Sequence, residues 1–188
     1  MRIPGMGGDV LAKMGASPVS LPGSQIYENL VSGAIDATEW VGPWNDSFMK
    51  FYEAAKFYYW PGFHEPGTME SFGINKAFWD KLSKADQKMF EAAAALENNL
   101  LYSEYCWNNG SSMKKLVEEH GVQLREFSDD IFDAAGEATA EVFEEYRADS
   151  NLTARVLDSM LAARKSVGSW MNTSEVPFIA QRNRVLGI

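Results

Sequence analysis

The apolar and polar positions of this chain follow two patterns, short and alternating at the start and helical from residue 83 onward. In the first part, short apolar runs with strand-like spacing alternate with runs of helix-like spacing. Gly and Pro residues separate them, which is typical of an α/β sheet with short connections. The strands are predicted over 2–4, 18–21 and 34–41, and the helices over 8–14, 24–31 and 45–56.

The middle of the chain is marked by an aromatic run, Phe57–Trp60, which Pro61-Gly62 ends. A further strand is predicted over 68–74 and a short helix over 75–81. For the helix predicted over 24–31, Ser24 is placed to act as the N-cap and Gly33 to end the helix.

From Ser83 onward the spacing is helical. Ser83 is placed as the N-cap of a helix that we predict to reach about Glu119, with Gly110 as the one point of interruption. A strand over 122–127 and a last helix over 152–170 follow, and Pro177 in the tail opposes continuation of that helix. Between them, after Ser128, apolar residues recur at helical steps and predict one buried stripe: Ile131, Phe132, Ala135, Val142, Phe143 and Tyr146.

Composition fits this picture of a folded chain. The chain is 46% hydrophobic and 13% aromatic, which argues against disorder. Its length of 188 residues predicts one domain or a closely coupled pair. No apolar run is long enough to span a membrane. The net charge of −9 argues against a duplex nucleic-acid partner, and an anionic ligand would need a local positive group.

Few residues carry an independent chemical signal. The single cysteine, Cys106, allows no intramolecular disulfide, and its apolar surroundings predict a buried structural thiol. His120 precedes Gly121 at a helix end, which favours a structural role. No phosphate-binding loop, nucleophile elbow or zinc-protease motif is present.

Three charged residues stand beside predicted strand ends or turns. Arg2 lies on a strand before Pro4-Gly5, where a guanidinium can grip a carboxylate through two parallel hydrogen bonds. Glu39 falls at the carboxyl end of a strand whose residues Ile35, Ala37 and Val41 are predicted to be buried, and ligands favour such ends. Glu65 lies between turn residues, and together the two glutamates offer hard oxygen ligands to Na⁺, Ca²⁺ or Mg²⁺. A surface or turn-capping role for Glu65 stays open as the alternative.

Aromatic side chains surround these positions: Trp40, Trp44, Tyr58, Tyr59, Trp60 and Phe63. They are expected to be mostly core, but an apolar ligand cleft would use some of them.

Several segments in this order resemble the DctP-type solute-binding proteins of TRAP transporters. They are Met1-Arg2-Ile3-Pro4-Gly5, Gly23–Tyr27, Gly33–Pro43 with its Glu-Trp-x-Gly-Pro piece, Tyr58–Gly62, and Glu175–Phe178. The resemblance covers nearly the whole chain and is greatest to the branch that binds 2-oxo and 2-hydroxy acids. It implies a C-terminal portion of a two-lobe, type II-like α/β binding protein, with a mixed sheet, flanking helices and long C-terminal helices.

The resemblance also implies the roles of individual residues. Arg2 would hold the carboxylate of the ligand, and Trp40, Trp44 and Phe63 would line its site. Glu39 and Glu65, with the carbonyl of Trp40, would coordinate a Na⁺ or Ca²⁺ that bridges protein and ligand. No catalytic cofactor is expected.

The same resemblance implies an organisation and partners. Residues 1–56 would belong to one lobe, 57–105 would cross largely into the other, and 106–188 would return with a dimerisation helix within 165–188. A signal peptide and an N-terminal half would precede the chain. The expected setting is the periplasm, and the expected partners are a small carboxylate, the transporter's membrane subunits and a second copy that swaps its C-terminal helix.

Two other function classes stay open on the residues alone. Glu39, Glu65 and His64 could form the metal-assisted acid–base set of an enzyme acting on small carboxylates. Alternatively, residues 83–170 could be a helical interaction module.

Overall fold

The computed structural model describes residues 1–65, 67–68 and 70–188, and it divides into two compact units, Met1–Ala135 and Gly136–Ile188. In chain order the elements are α1 (Gly5–Lys13), α2 (Gly23–Ser32), α3 (Pro43–Phe48), α4 (Phe51–Ala54), β1 (Phe57–Trp60), α5 (Lys76–Trp79), α6 (Lys84–Glu118), β2 (Gln123–Glu126), α7 (Asp129–Asp149), α8 (Asn151–Met171) and α9 (Glu175–Leu186).

Extended segments of the first unit pair in parallel wherever pairing is described. β1 pairs with β2 in the register Phe57↔Gln123 to Trp60↔Glu126. The three extended segments predicted near the start pair only through single bridges, Arg2↔Val19 and Arg2↔Thr38. Prolines flank two of these segments and offer no N–H to extend a ladder, so bridges replace the predicted strands.

The strand predicted over 68–74 is wrong for its described residues, and Met69 lies outside them. Residues 67–68 and 70–73 are exposed, so they have no buried face to support a strand.

A small apolar core joins the helices near the start of the chain. Its buried members are Ile26 of α2, Phe51 of α4, and Ile35 from the segment between α2 and α3. Partly buried side chains pack against them: Leu21, Tyr27, Leu30, Trp40 and Met49. The extended segment that carries Glu39 is thereby fixed to two helices on its apolar side.

Two predicted helix starts and stops need correction. The helix predicted over 45–56 is divided into α3 and α4, because Lys50 adopts a left-handed conformation with φ of 56°. α2 begins at Gly23 after Pro22 and has no side-chain cap, so the prediction for Ser24 is wrong. Gly33 ends α2 at φ of 73°, as predicted.

The long helix α6 confirms the prediction that Ser83 starts it. Ser83 Oγ accepts a hydrogen bond from the N–H of Asp86 at 3.1 Å. The helix then runs 35 residues without a break at Gly110, a length of about 52 Å at 1.5 Å per residue. Residues 88–100 are exposed, whereas buried and half-buried side chains recur later at helical steps: Leu101, Tyr105, Asn108, Asn109, Ser112, Met113 and Leu116.

Cys106 is exposed, so the prediction of a buried thiol is wrong. Its neighbour Trp107 is 80% exposed. Both residues fall outside the steps that bury Tyr105 and Asn109, although the sequence around them is apolar.

The second unit consists of the end of α7 with α8 and α9. The predicted stripe on α7, which begins in the first unit and continues into the second, is confirmed, since Val142 is fully buried, Ala135 is buried, and its other members are half-buried. Arg147 forms an ion pair with Asp158 of α8.

Pro177 does not end the helical part of the chain. It lies in the first turn of α9, where the missing N–H would have no partner within the helix. Among the described residues, the helices are too short or too polar to cross a membrane.

Candidate ligand and cation site

Arg2 lies between two other extended segments and is held by backbone hydrogen bonds on both sides. Its N–H donates to the carbonyl of Ala37 at 2.8 Å, and its carbonyl accepts from the N–H of Glu39 at 3.3 Å. On the other side, the N–H of Ile3 donates to the carbonyl of Val19 at 3.1 Å. Arg2 is therefore carried by a fixed backbone, which lowers the entropic cost of using its side chain to bind a ligand.

The guanidinium of Arg2 is buried beside the carboxylate of Glu39. Nη1 of Arg2 donates to Oε1 of Glu39 at 2.5 Å, and the two side chains are only 10% and 8% exposed. Nε of Arg2 donates to the carbonyl of Leu21 at 3.2 Å. The residues predicted as anion clamp and cation ligand are thus in direct contact.

Burial is the main influence on the carboxylate of Glu39 and raises its pKa. The positive charge of Arg2 and its hydrogen bond oppose that effect, while the negative charges of Glu65 and Asp46 add to it. The negative charge of Glu39 is therefore unfavourable where it is buried, and a cation bound next to the carboxylate would offset that cost.

Glu65 is exposed, and its neighbour His64 is half-buried. Burial lowers the pKa of His64, partly offset by the charge of Glu65. The Cβ of His64 lies 3.7 Å from where a Cβ on Gly7 of α1 would stand. The turn that carries Glu65 therefore approaches the helix that directly follows Arg2.

The ring of Trp40 is held between α2 and Arg2. The guanidinium carbon of Arg2 lies 5.3 Å from the centre of the ring. At Gly23, the first residue of α2, an added Cβ would stand 2.5 Å from Cη2 of Trp40. The close approach requires glycine there and fixes the ring as one wall beside the ion pair.

Trp44 and Phe63, also predicted to contact a ligand, have packing partners of their own. The ring of Trp44 meets Tyr105 of α6 edge to face at 5.3 Å between centroids. Phe63 meets Phe127 and Phe132 at 5.6 and 5.9 Å. Their proposed ligand contacts stay predictions.

Asp46 and Tyr58 form a half-buried pair whose contact the sequence did not predict. Tyr58 Oη donates to Oδ2 of Asp46 at 2.7 Å, and the backbone N–H of Val41 donates to Oδ1 at 3.4 Å. Burial raises the pKa of Asp46 against these hydrogen bonds, and burial and the charge of Asp46 raise that of Tyr58. An acidic residue in the first turn after Gly42 was the available signal for Asp46, whereas Tyr58 was predicted only as one of the aromatic residues around the site, with no signal for its contact with Asp46.

Two other sequence predictions are resolved. Val41 is 50% exposed, so its predicted burial is wrong, while Ile35 is buried at 5%. The ring of His120 stacks on Tyr52 of α4 at 3.8 Å, which agrees with a structural role.

The cation ligands predicted near Arg2 are hard oxygen donors, and their role as a cation site stays a prediction. Within the described ranges 1–65, 67–68 and 70–188, no group of three or more His, Cys, Asp or Glu side chains is arranged to hold a metal ion. Glu39 and Glu65, with the carbonyl of Trp40, would supply some of the six to eight oxygens that Ca²⁺ takes, leaving positions for ligand oxygens.

Arg2, Glu39 and the ring of Trp40 thus form one charged and aromatic cluster within an α/β framework. Comparison with known proteins gives the family. Residues 1–149 match the bacterial extracellular solute-binding proteins of family 7, the DctP family, and the chain belongs to it. The family consists of transporter solute-binding proteins rather than enzymes, so the enzyme alternative is not supported.

Individual relatives share the fold over nearly the whole chain. A monocarboxylate 2-oxoacid-binding periplasmic protein of Nostoc is 35% identical over 178 residues, 95% of this chain. A TRAP periplasmic solute-binding protein of Pseudoalteromonas atlantica, solved with sodium and pyruvate, has 34% identity and a TM-score of 0.89 over 96% of this chain. One of Colwellia psychrerythraea, solved with calcium and pyruvate, has 35% identity and a TM-score of 0.91 over 96%.

The chain spans about half the length of these relatives, 49% of the Nostoc protein and 55% of each of the two solved chains. The two-lobe α/β binding-protein class expected from the sequence is confirmed by these similarities, with this chain corresponding to part of such a protein.

Proposed function

We propose that this chain contributes to an extracytoplasmic receptor of a TRAP transporter that binds a small 2-oxo or 2-hydroxy acid together with Na⁺ or Ca²⁺. The observation that carries the proposal is the buried contact between Arg2 and Glu39 beside Trp40. A carboxylate ligand needs a cationic partner and a cation needs an anionic one, and this contact offers both within one small space.

The roles follow from the chemistry of each group. Arg2 binds the ligand carboxylate, since its guanidinium has donors for two parallel hydrogen bonds. Glu39 and Glu65 hold the cation, whose charge offsets the unfavourable burial of Glu39. Trp40 forms an apolar wall and offers its carbonyl, while Trp44 and Phe63 line the same cleft farther out.

The wider setting is also part of the proposal. The receptor works in the periplasm and delivers its ligand to the membrane subunits of the transporter. Residues 1–56 belong to one lobe, 57–105 lie largely in the other, and 106–188 return to the first. A relative from Bordetella bronchiseptica, 28% identical with a TM-score of 0.92, was solved as a dimer with calcium and picolinate. That structure supports association of two copies, and we propose further that they exchange a C-terminal helix within 165–188.

The test uses calorimetry on the natural gene product that contains this chain, titrated with pyruvate in the presence of Ca²⁺ or Na⁺. We expect binding that is lost when Ca²⁺ is chelated in sodium-free buffer. Arg2→Ala should weaken binding by about 2–5 kcal/mol, because it removes one side of a buried charge pair.

Glu39→Gln should weaken the response to the cation, because the amide keeps the size of the side chain but not its charge. Unchanged pyruvate affinity in the Arg2→Ala protein would remove the clamp from this proposal. Indifference to both Glu39→Gln and cation removal would remove the cation.

A further inference from the structure

The loop that carries Glu39 and Trp40 ends in a turn that is fixed from outside the site by α6. That turn, Gly42–Trp44, opens the short helix α3. The N–H of Trp44 belongs to the first turn of α3, where the helix itself provides no acceptor. Asn109 of α6 supplies one, since its Oδ1 accepts from this N–H at 3.0 Å.

The side chain of Asn109 also fits closely against the turn. A Cβ added at Gly42 would stand 3.2 Å from Oδ1 and 3.5 Å from Nδ2 of Asn109. One helical turn earlier on α6, Tyr105 meets the ring of Trp44 edge to face. The same face of α6 therefore holds both the backbone and the side chain of the turn.

The far side of the loop has a separate anchor. Asp46 accepts hydrogen bonds from the loop's backbone and from Tyr58 of β1. Arg2 binds the near end through Glu39. Trp40 and Glu39 lie only two and three residues before Gly42, and this short stretch of backbone links the Asn109 contact to them.

We propose that Asn109 is a positioning residue of the site, which acts through the Gly42–Trp44 turn to set the placement of Glu39 and the Trp40 carbonyl. The proposal rests on the proposed function, because its consequence is a change in cation-dependent carboxylate binding. Groups that orient metal ligands without touching the metal affect affinity strongly, by about 10–100-fold when substituted.

The decisive comparison is between two variants of similar size. Asn109→Leu removes the acceptor for the N–H of Trp44, whereas Asn109→Asp keeps an oxygen at the same position. Asn108→Leu is the matched control, because Asn108 is also half-buried on α6 but donates to the carbonyl of Glu104 on its own helix.

The measurements are calorimetric titrations of the natural gene product with pyruvate and Ca²⁺, together with the backbone amide NMR signal of Trp44. We expect Asn109→Leu to weaken Ca²⁺-dependent pyruvate binding by about 10-fold or more and to shift the Trp44 amide signal. Asn109→Asp should restore most of the affinity and return the signal, and Asn108→Leu should change neither.

Each other outcome has a definite meaning. Normal binding by Asn109→Leu, equal losses in Asn109→Leu and Asn108→Leu, or no recovery in Asn109→Asp would each overturn the role of Asn109 while leaving the proposed function intact. Failure of the unaltered protein to bind pyruvate with either cation would overturn the proposed function, and this inference with it.

Discussion

The ion pair between Arg2 and Glu39 is a site feature and a structural one at once. Both side chains are almost fully buried, and a buried charge that loses its partner is strongly destabilising. We predict that Arg2→Met lowers the free energy of unfolding by about 3–5 kcal/mol. The double variant Arg2→Met/Glu39→Gln should recover much of this loss, because it leaves no unpaired buried charge. Chemical denaturation of the natural gene product measures both.

An exposed ion pair of the same chain provides the control. Lys76 and Asp80 of α5 interact at 2.7 Å, but their side chains are 85% and 54% exposed. Substituting Lys76 with Met should cost only about 0.3–0.5 kcal/mol, the usual value for such helix pairs.

The double variant also has an outcome that would contradict the prediction. If the losses in unfolding free energy from Arg2→Met and Glu39→Gln simply add in it, Arg2 and Glu39 are not energetically coupled.

Asp46 makes stability depend on pH in a defined direction. Its pKa is raised above the ordinary carboxyl value, so the folded state binds the proton more tightly than the unfolded state. The contribution of Asp46 to stability is therefore complete below the ordinary carboxyl pKa and is lost as the pH rises through the raised pKa. We predict that Asp46→Asn reduces the fall in unfolding free energy over this pH range, as measured by denaturation at a series of pH values.

Tyr58→Phe checks the cause. The hydrogen bond from Tyr58 lowers the pKa of Asp46, so its removal should extend the loss of stability to higher pH. It should also cost about 1–3 kcal/mol at neutral pH, since a half-buried carboxylate loses a hydrogen-bond donor. Identical pH profiles for Tyr58→Phe and the unaltered protein would show that Asp46 is not the titrating group.

At the scale of secondary structure, local signals predict most of the helices and almost none of the site contacts. Ser83 as N-cap, the apolar stripe of α7 and Gly33 as a helix stop are properties of neighbouring residues, and they were predictable. The contact of Arg2 with Glu39 and that of Trp44 with Asn109 join residues far apart in sequence. Such contacts depend on how the elements pack, and periodicity carries no information about packing partners.

Substituting two helical glycines with alanine distinguishes the effect of close packing on stability from that of helix propensity. Gly23 touches the ring of Trp40, so Gly23→Ala must displace that ring. We predict a loss of about 1–3 kcal/mol in stability from overpacking, and a weaker affinity for pyruvate because the wall beside Arg2 moves. Thermal denaturation and calorimetry on the same variant measure both effects.

Gly110→Ala is the matched substitution without a steric conflict. Gly110 lies within α6, and an added Cβ there would meet nothing within 4 Å. This variant should gain about 0.5–1 kcal/mol, because alanine loses less backbone entropy in a helix. A gain from Gly23→Ala comparable to that from Gly110→Ala would contradict the tight contact with Trp40.

At the scale of the whole molecule, large apolar side chains are exposed on the second unit. On α9 they are Val176, Phe178, Ile179, Val185 and Leu186, and on α8 they include Leu152, Val156, Val167 and Trp170. Such side chains would supply an interaction surface if they form one contiguous patch. The range 165–188, expected from sequence to hold one dimerisation helix, contains the end of α8 and all of α9.

The proposed dimer predicts that α9 supplies its apolar contacts to a second copy. Phe178 and Val185 are 66% and 69% exposed and lie seven residues apart, which places them on one face of the helix.

Replacing both Phe178 and Val185 with Glu should convert a dimer of the natural gene product into a monomer, because burying two charges opposes association. Light scattering coupled to gel filtration measures the mass. Ala180→Glu adds the same charge at an exposed position on the opposite face of α9 and should leave the dimer intact. A monomeric unaltered protein, or a dimer that survives both Glu substitutions, would exclude α9 as its contact.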